Sequence, residues 1–419
     1  MVSLKSARSS PLSLIVRYLA SKRIKYRTFL LSFIKKPIIS SLYLYGTILA
    51  ICDCVSCRVP DKNAGYGINN FNFFMKGKKM KKQVSMIAAL MVMLYGGMAF
   101  AADWNFYGSA RVETFFTDSD QDDSTTFSES LQSNSRIGAK VNVNDELTGR
   151  FEYGTSGGNA NIRLLYGEWN FGPGSLTVGQ EYTPLYMPVS NQVYDTDNGL
   201  GGWGEAYPGR HAQIKLKFGG FQIAAVSPDA TYLMNNILVD ANTEVTIPRM
   251  EFSYKMDMNN LAFGIGGGYS TFEYNNTKDI DSYVGIIKGK FQTSAFSLGA
   301  QAFIGQNVGN LIASHTTGND DGEGYAKING NQVIDNDALG VEVVAAYMIN
   351  EMVSLEAGYG YMKTEYDTNN ADKEDVASYY LQAPITLASG VFVIPEVGMV
   401  DYQDQDEIAY FGAKWQINF

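Results

Sequence analysis

From Trp104 to the last residue the chain repeats one pattern. Apolar and polar positions alternate, break at a turn, and resume. In "WNFYGSARVETFF", Trp104, Phe106, Gly108, Ala110, Val112 and Phe116 share one face, and Asn105, Ser109, Arg111 and Glu113 share the other. "SRIGAKVNV", "LTGRFEY", "HAQIKLKF" and "RMEFSYKM" do the same. They set Arg136, Lys140, Arg150, Lys215, Lys217 and Arg249 opposite Ile, Val, Leu, Phe and Met. A period of two is a strand with two unlike faces. Further segments at 161–171, 175–181, 221–227, 261–272, 281–291, 295–304, 338–349, 352–365, 376–387, 391–401 and 407–419 bring the expected strands to sixteen. One of them, "NIRLLYGEWNF", mixes its faces and cannot be oriented.

The connections alternate in length. Tight turns are expected near Asn144, Gly172, Gly219, Asp257–Asn260, Thr293, Asn350 and Ser389, with the Gly, Asn and Asp that hairpins require. Every other connection reads as long, polar and acidic, for example "TDSDQDDSTTFSES". No charge falls within the central part of any apolar face that could be oriented, and the opposite faces are heavily charged. A packed soluble core could not accept those charges. A barrel in lipid needs them, because its inner face meets water. The expected fold is therefore all-β. It is a sixteen-stranded antiparallel transmembrane barrel with short periplasmic turns and long extracellular loops, in the bacterial outer membrane. The closing stretch "EIAYFGAKWQINF" alternates to the final Phe419, and Trp415 shares its apolar face. A last strand that pairs with the first needs no polar tail.

Charge and cysteine change the picture at the other end. Residues 1–79 hold 14 Lys/Arg against Asp53 and Asp61, whereas residues 102–419 hold 17 Lys/Arg and 41 Asp/Glu, a net −24. All three cysteines, Cys52, Cys54 and Cys57, lie in the first part. Between the parts, "MKKQVSMIAALMVMLYGGMAFAADW" joins a basic start to an apolar run and an Ala99-Phe100-Ala101 box, the pattern of a secretory signal peptide over 80–101. An anchor helix is the competing reading, but the run is short for a span. The expected organisation is upstream translation over 1–79 (disordered, true start Met80), a signal peptide over 80–101 and the barrel over 102–419. The Cys cluster lacks a second ligand group, so neither a metal nor a cofactor is expected.

"SRIGAKVNVNDELTGRFEYG" and "IRLLYGEWNFGPGSLTVGQEY" resemble the general trimeric porins of Gram-negative bacteria, and the terminal Phe resembles the closing strand of outer-membrane barrels. The first resemblance implies a homotrimer and a third loop folded inward to narrow the pore. The second implies that Trp415 and Phe419 are read by the outer-membrane insertion machinery. The loop would be "YTPLYMPVSNQVYDTDNGLGGWGEAYPG", which departs from the family's Pro-Glu-Phe-Gly-Gly run and carries Asp195, Asp197 and Glu205. An outward surface loop is the alternative.

The expected function is passive diffusion of small hydrophilic solutes and ions. Arg111, Arg136, Lys140, Arg150, Arg163, Lys215, Lys217 and Arg249 would line one wall. Asp195, Asp197 and Glu205 would face them, setting a transverse field in a narrow passage. Structural ion pairs with Glu113, Glu152 or Glu251 compete with that role. A channel specific for a sugar or an anion on the same barrel is one alternative, and a surface β-sandwich adhesin or lectin is another. Asp118, Asp120, Asp122 and Glu129 follow a calcium-loop order, but Asp123 stands where that turn needs Gly. An acidic solvated loop is the plainer reading, with loose cation bridges to lipopolysaccharide the functional one. His211 and His315 form no catalytic set, so no enzyme is expected, and the −24 charge disfavours nucleic acid. The expected partners are the lipid bilayer, lipopolysaccharide and further copies of the chain.

Overall fold

The computed structural model describes residues 102–119, 124–155, 159–314, 324–368, 373–403 and 407–419. Residues 1–79 and the expected signal peptide over 80–101 lie outside them, as do His315, Asp120, Asp122 and Asp123. The chain divides at Val92, and the barrel belongs wholly to the second unit.

Sixteen antiparallel strands close into a barrel. They are β1 (Asp103–Ser119), β2 (Ser124–Leu131 with Arg136–Asn142), β3 (Leu147–Gly154), β4 (Asn161–Asn170), β5 (Ser175–Tyr182), β6 (Arg210–Phe218), β7 (Phe221–Val226) and β8 (Arg249–Met258). The second half is β9 (Leu261–Tyr274), β10 (Lys278–Gln292), β11 (Phe296–Gln306), β12 (Asn336–Met348), β13 (Ser354–Tyr366), β14 (Lys373–Gln382 with Ile385–Ala388), β15 (Val391–Tyr402) and β16 (Glu407–Asn418). Closure is between β1 and β16, from Ser109 opposite Asn418 to Ser119 opposite Ile408. Gly108 and Phe419 exchange both backbone hydrogen bonds, at 2.6 and 3.0 Å, so the ladder runs to the last residue. No edge is left to recruit another chain.

The two faces separate as the alternation requires. Phe106, Ile137, Ile214, Ile287, Ile304 and Phe411 all point outward and are more than half exposed. Their in-register neighbours point into the lumen. In lipid, this outer surface is the solvent-matched one.

The turns at 219–220, 259–260 and 389–390 are as tight as expected, and all seven lie at the rim that holds both ends of the barrel chain. The opposite rim is less uniform than the composition suggested. Only 183–209, 227–248 and 307–335 are long there. β9 and β10 run on to a turn at Asn275-Asn276, where φ is 51° and 53°. Asn tolerates the left-handed region that such hairpins demand. β1 and β2 also run on, which places Asp118 and Glu129 in paired strands, opposite Thr125 and Thr114. The calcium-loop order is therefore not carried by a loop at its ends. At the same rim, residues 232–234, 237–239, 327–329 and 332–334 form a separate small sheet, joined by parallel pairing of Lys327 with Leu233 and Ile328 with Met234. Tyr232, Phe272, Ile280 and Ile328 pack beneath it.

The strand that could not be oriented carries a bulge. Glu152 pairs with Leu164, but Tyr153 pairs with Ile162, leaving Arg163 unpaired in register. Ile162 and Leu165 face outward while Arg163 and Leu164 between them are both buried. One extra residue reverses the alternation partway along β4.

Candidate functional site

The third connection at that rim, the loop 183–209, folds into the lumen. Its Leu185, Met187, Val193, Leu200 and Trp203 are buried against Ile286, Phe303, Val344, Met362, Val376 and Val400, which come from the inner faces of β10 to β15. Burying side chains of this size contributes about 1.5–3 kcal/mol each. Space for the loop comes from small residues on the wall. A Cβ on Gly360 would stand 2.1 Å from the Trp203 carbonyl oxygen.

Carboxylates from the wall hold the loop's backbone. Glu356 accepts from the Asn191 N–H at 3.0 Å and its side-chain amide at 2.8 Å. Glu396 accepts from the N–H groups of Val193 (2.8 Å) and Tyr194 (3.1 Å). Glu251 accepts from the Leu185 N–H at 3.3 Å. Buried N–H groups outside secondary structure need such partners. The tyrosine hydroxyls of Tyr380 and Tyr410 complete the fastening, bonding Ser190 and Gln192 at 2.8 and 2.6 Å.

What stays open lies against the opposite wall. An opening of about 390 Å³ is bounded by Arg111 and Arg136 on one side, Tyr182, Tyr186 and Tyr207 on another, and Asp197 and Lys414 at the loop tip. The wall beside it is a guanidinium cluster. Arg163 Nε meets Glu152 Oε1 at 2.8 Å, Arg150 meets Oε2 at 3.1 Å, and Arg136 lies 3.6 Å from Oε1. Tyr107 donates to the same carboxylate at 2.8 Å. Three cations therefore share one buried anion, and the cluster keeps a positive excess. Farther round, Lys217 pairs with Glu168 at 2.7 Å and Lys215 with Glu181.

The residues expected at the pore thus divide. Arg111, Arg136, Arg150, Arg163, Lys215 and Lys217 come together on the lumen side of β1 to β6. Lys140 is exposed and stands opposite Arg150 in the β2–β3 register, but it does not join the ion pairs on Glu152. Arg249 corrects the expectation. Its guanidinium is 1 % exposed, paired with Glu251 and donating to the carbonyls of Asn310 (3.1 Å) and Leu311. It fastens the 307–312 segment and does not line the passage.

The loop acids do not form an opposing row either. Asp197 bridges Arg111 and Lys414 by direct contact. Glu205 is 1 % exposed and accepts from the N–H groups of Val189 and Ser190, both at 3.1 Å. Burial raises its pKa to about 7, while those N–H groups, a hydrogen bond with the neighbouring carboxyl Glu342, and Lys288 pull it down. Asp195 is exposed. Trp415 and Phe419 lie on the outer surface beside the β1–β16 seam, and Trp415 Nε1 donates to the Thr114 hydroxyl at 3.1 Å.

Several residues of this site were not anticipated. Lys414 sits on the inner face of β16, opposite Glu113 of β1, and barrel closure alone brings it beside Arg111. The alternation of the last strand together with closure was the available signal. Arg210 lies 5.1 Å above the Tyr182 ring and bonds its hydroxyl at 2.8 Å, and Tyr182 in turn stacks on Tyr186 at 4.0 Å. Among the described residues no group of three or more metal-ligating side chains occurs. His211 contacts the Pro208 carbonyl at 2.9 Å.

The architecture matches known channels. The outer-membrane channel DcaP of Acinetobacter baumannii is similar over 76 % of this chain and 97 % of its own, at 15 % identity and a TM-score of 0.62. OmpT of Vibrio cholerae in a trimer form matches at 19 % identity and 0.51, over 75 % of this chain and 99 % of its own. An anion-selective porin from Comamonas acidovorans matches at 9 % identity and 0.53, over 76 % and 100 %. At these identities the likeness is one of fold. A search of curated protein sequences finds no match. A family model described as Gram-negative porin covers residues 87–405, most of the chain. The chain belongs to the Gram-negative porin family, and it forms a diffusion channel of the bacterial outer membrane.

Proposed function

We propose that small hydrophilic solutes and ions cross through the opening between the tip of the third loop and the wall of β1 to β6, and that anions pass more readily than cations. The observation that carries this is the sharing of Glu152 by Arg136, Arg150 and Arg163, which leaves the wall beside the opening positively charged. Fixed charge in a narrow, low-dielectric passage acts strongly on ions that have shed part of their hydration. Most of the opposite half of the lumen is filled by the loop, with Gln382, Pro384 and Ile394 of β14 and β15 reaching the opening. The mechanism therefore differs from a field between two charged walls. The basic wall acts on the solute, and Asp197 is consumed in holding the loop tip.

The acidic residues at the loop rim face the outside medium, and lipopolysaccharide is the proposed neighbour there. Self-association into a trimer, as in the named form of OmpT, and recognition of Trp415 and Phe419 by the insertion machinery are part of the same proposal. So are removal of the chain up to Ala101 and the lack of any enzymatic step. Single-channel recording in planar bilayers under a potassium chloride gradient tests the pore reading. A reversal potential of the sign set by chloride agrees with it, and the opposite sign refutes it.

A further inference from the structure

We infer that Arg111, Lys414 and Asn134 form a carboxylate-binding site in the pore, that Asp197 occupies it as a tethered ligand, and that a permeating carboxylate binds by displacing Asp197. This rests on the proposed anion path and deepens it.

The first observation is convergence. Arg111 Nη1 and Asn134 Nδ2, the latter at 3.0 Å, both meet Asp197 Oδ2, while Lys414 Nζ meets Oδ1 at 2.7 Å. These three donors come from β1, the β2 corner and β16, so sheet closure preassembles them. A guanidinium, an ammonium and an amide aimed at one carboxylate are what a free carboxylate would need. Two cations meet one anion, so the cradle keeps a positive excess. Arg111 is also fixed from behind by the Ser109 hydroxyl at 3.0 Å, which holds its fork whether or not Asp197 is present.

The second observation is burial beside an opening. The side chains of Lys414, Asp197 and Arg111 are 7 %, 10 % and 14 % exposed, yet all three border the passage. An ion crossing the waist meets this cradle at contact distance and in a partly dry setting, where charge pairing is strong.

The third observation is strain. Asp195, Thr196 and Asp197 stand at φ 52°, 67° and 64° in succession. A non-glycine residue enters the left-handed region only against a steric clash of its Cβ with the following carbonyl oxygen. Such a run persists only where contacts over-determine it, and the donors on Asp197 hold its last residue. Displacement by a free carboxylate therefore releases strain. It would not unseat the loop, since Val193 and Leu200 on either side are fully buried. The moving part is the short tip between them.

The test uses acetate as the probe and the D197N and D197E variants. Current is recorded against potassium acetate concentration. A tether that leaves the site vacant about a fifth of the time weakens apparent binding about fivefold. D197N is expected to half-saturate at about one-fifth of the wild-type acetate concentration by that relation. D197E, which keeps the carboxylate, behaves as wild type, and D197N/R111Q loses saturation. If D197N instead half-saturates at the wild-type acetate concentration, Asp197 is only a clasp and the inference fails. A second readout needs no variant. Amide hydrogen exchange across 195–199 of the wild-type protein should quicken in acetate relative to chloride of equal strength, and equal rates overturn the inference. The wild-type reversal potential in chloride decides the anion reading separately, because its sign does not depend on how Asp197 exchanges.

Discussion

The two halves of the lumen are built on the same alternation and do opposite things with it. Inward positions of β1 to β6 carry Arg111, Arg136, Arg150, Glu152, Lys215 and Lys217, and the opening lies against this wall. Inward positions of β10 to β15 carry Ile286, Phe303, Val344, Met362, Val376 and Val400, and the third loop fills the space they face. The hydrophobic effect draws the loop to the second wall. The wall glutamates then satisfy the backbone groups that burial would strand. Charge keeps the first wall open. A pore of this kind is therefore placed by where the lumen is greasy as much as by where it is charged.

The largest expected effect falls on the charged half. E152Q leaves the three surrounding guanidinia without a carboxylate, Glu152 being 1 % exposed and Arg163 5 %. Breaking a buried pair from one side costs about 3 kcal/mol. The heat-denaturation midpoint in detergent should fall clearly, and surviving channels should favour anions further. An unchanged midpoint would mean that water screens the cluster more than the geometry implies.

Next comes the packed half. G360V forces two methyl groups toward the Trp203 carbonyl oxygen. Overpacking of this kind costs about 1–3 kcal/mol, and the loop can avoid it only by backing away from β13. Single-channel conductance should rise as the loop lifts. An unaltered conductance with an unaltered melt would show that the loop is held more loosely than its contacts indicate.

Acidity sharpens the same contrast. Glu205 lies in the packed half with its pKa raised from 4.5 to about 7. The folded state then binds a proton that the unfolded chain releases near 4.5. Stability from this group is complete below that value, declines as pH rises to about 7, and is level above it. E205Q should flatten that decline between pH 4.5 and 7 in melting curves. An equal slope in both proteins would place the titration elsewhere.

The smallest effect is expected on the outer surface. A Cβ on Gly285 would meet nothing within 4 Å. G285A should change the melt by less than about 1 kcal/mol and leave conductance alone. A large loss there would mean that the outer face of β10 packs against something.

The barrel was legible because lipid and water enforce alternation on every strand, and because Gly and Asn mark the tight turns. Closure at Phe419 followed from the same rule. The site was less legible where a local irregularity or a distant contact decided the outcome. Arg163 enters the cluster through a bulge, which period-two reading cannot place. Arg249 looked like a lumen cation, yet the carbonyls of Asn310 and Leu311, some sixty residues along the chain, cap it. Phe115 and Tyr410 are inward aromatics that meet at 5.9 Å, and the loop residue Tyr194 packs on both, 5.3 Å from Phe115 and 3.8 Å from Tyr410, a contact that strand alternation does not show. Asp197 borders the opening, and its pairing with Lys414 depends on a seam joining the two ends of the barrel.

The central claim is that solutes run along the charged wall while the greasy wall is sealed. The three native cysteines all precede residue 58, so single cysteines can be placed in the barrel and modified from solution. R150C and V376C carry the comparison, Arg150 bordering the guanidinium cluster and Val376 lying fully buried beneath the loop. A charged methanethiosulfonate reagent added during single-channel recording should change the conductance of R150C and leave V376C untouched. Modification of V376C with R150C unaffected would put the path on the other side of the loop and contradict the account.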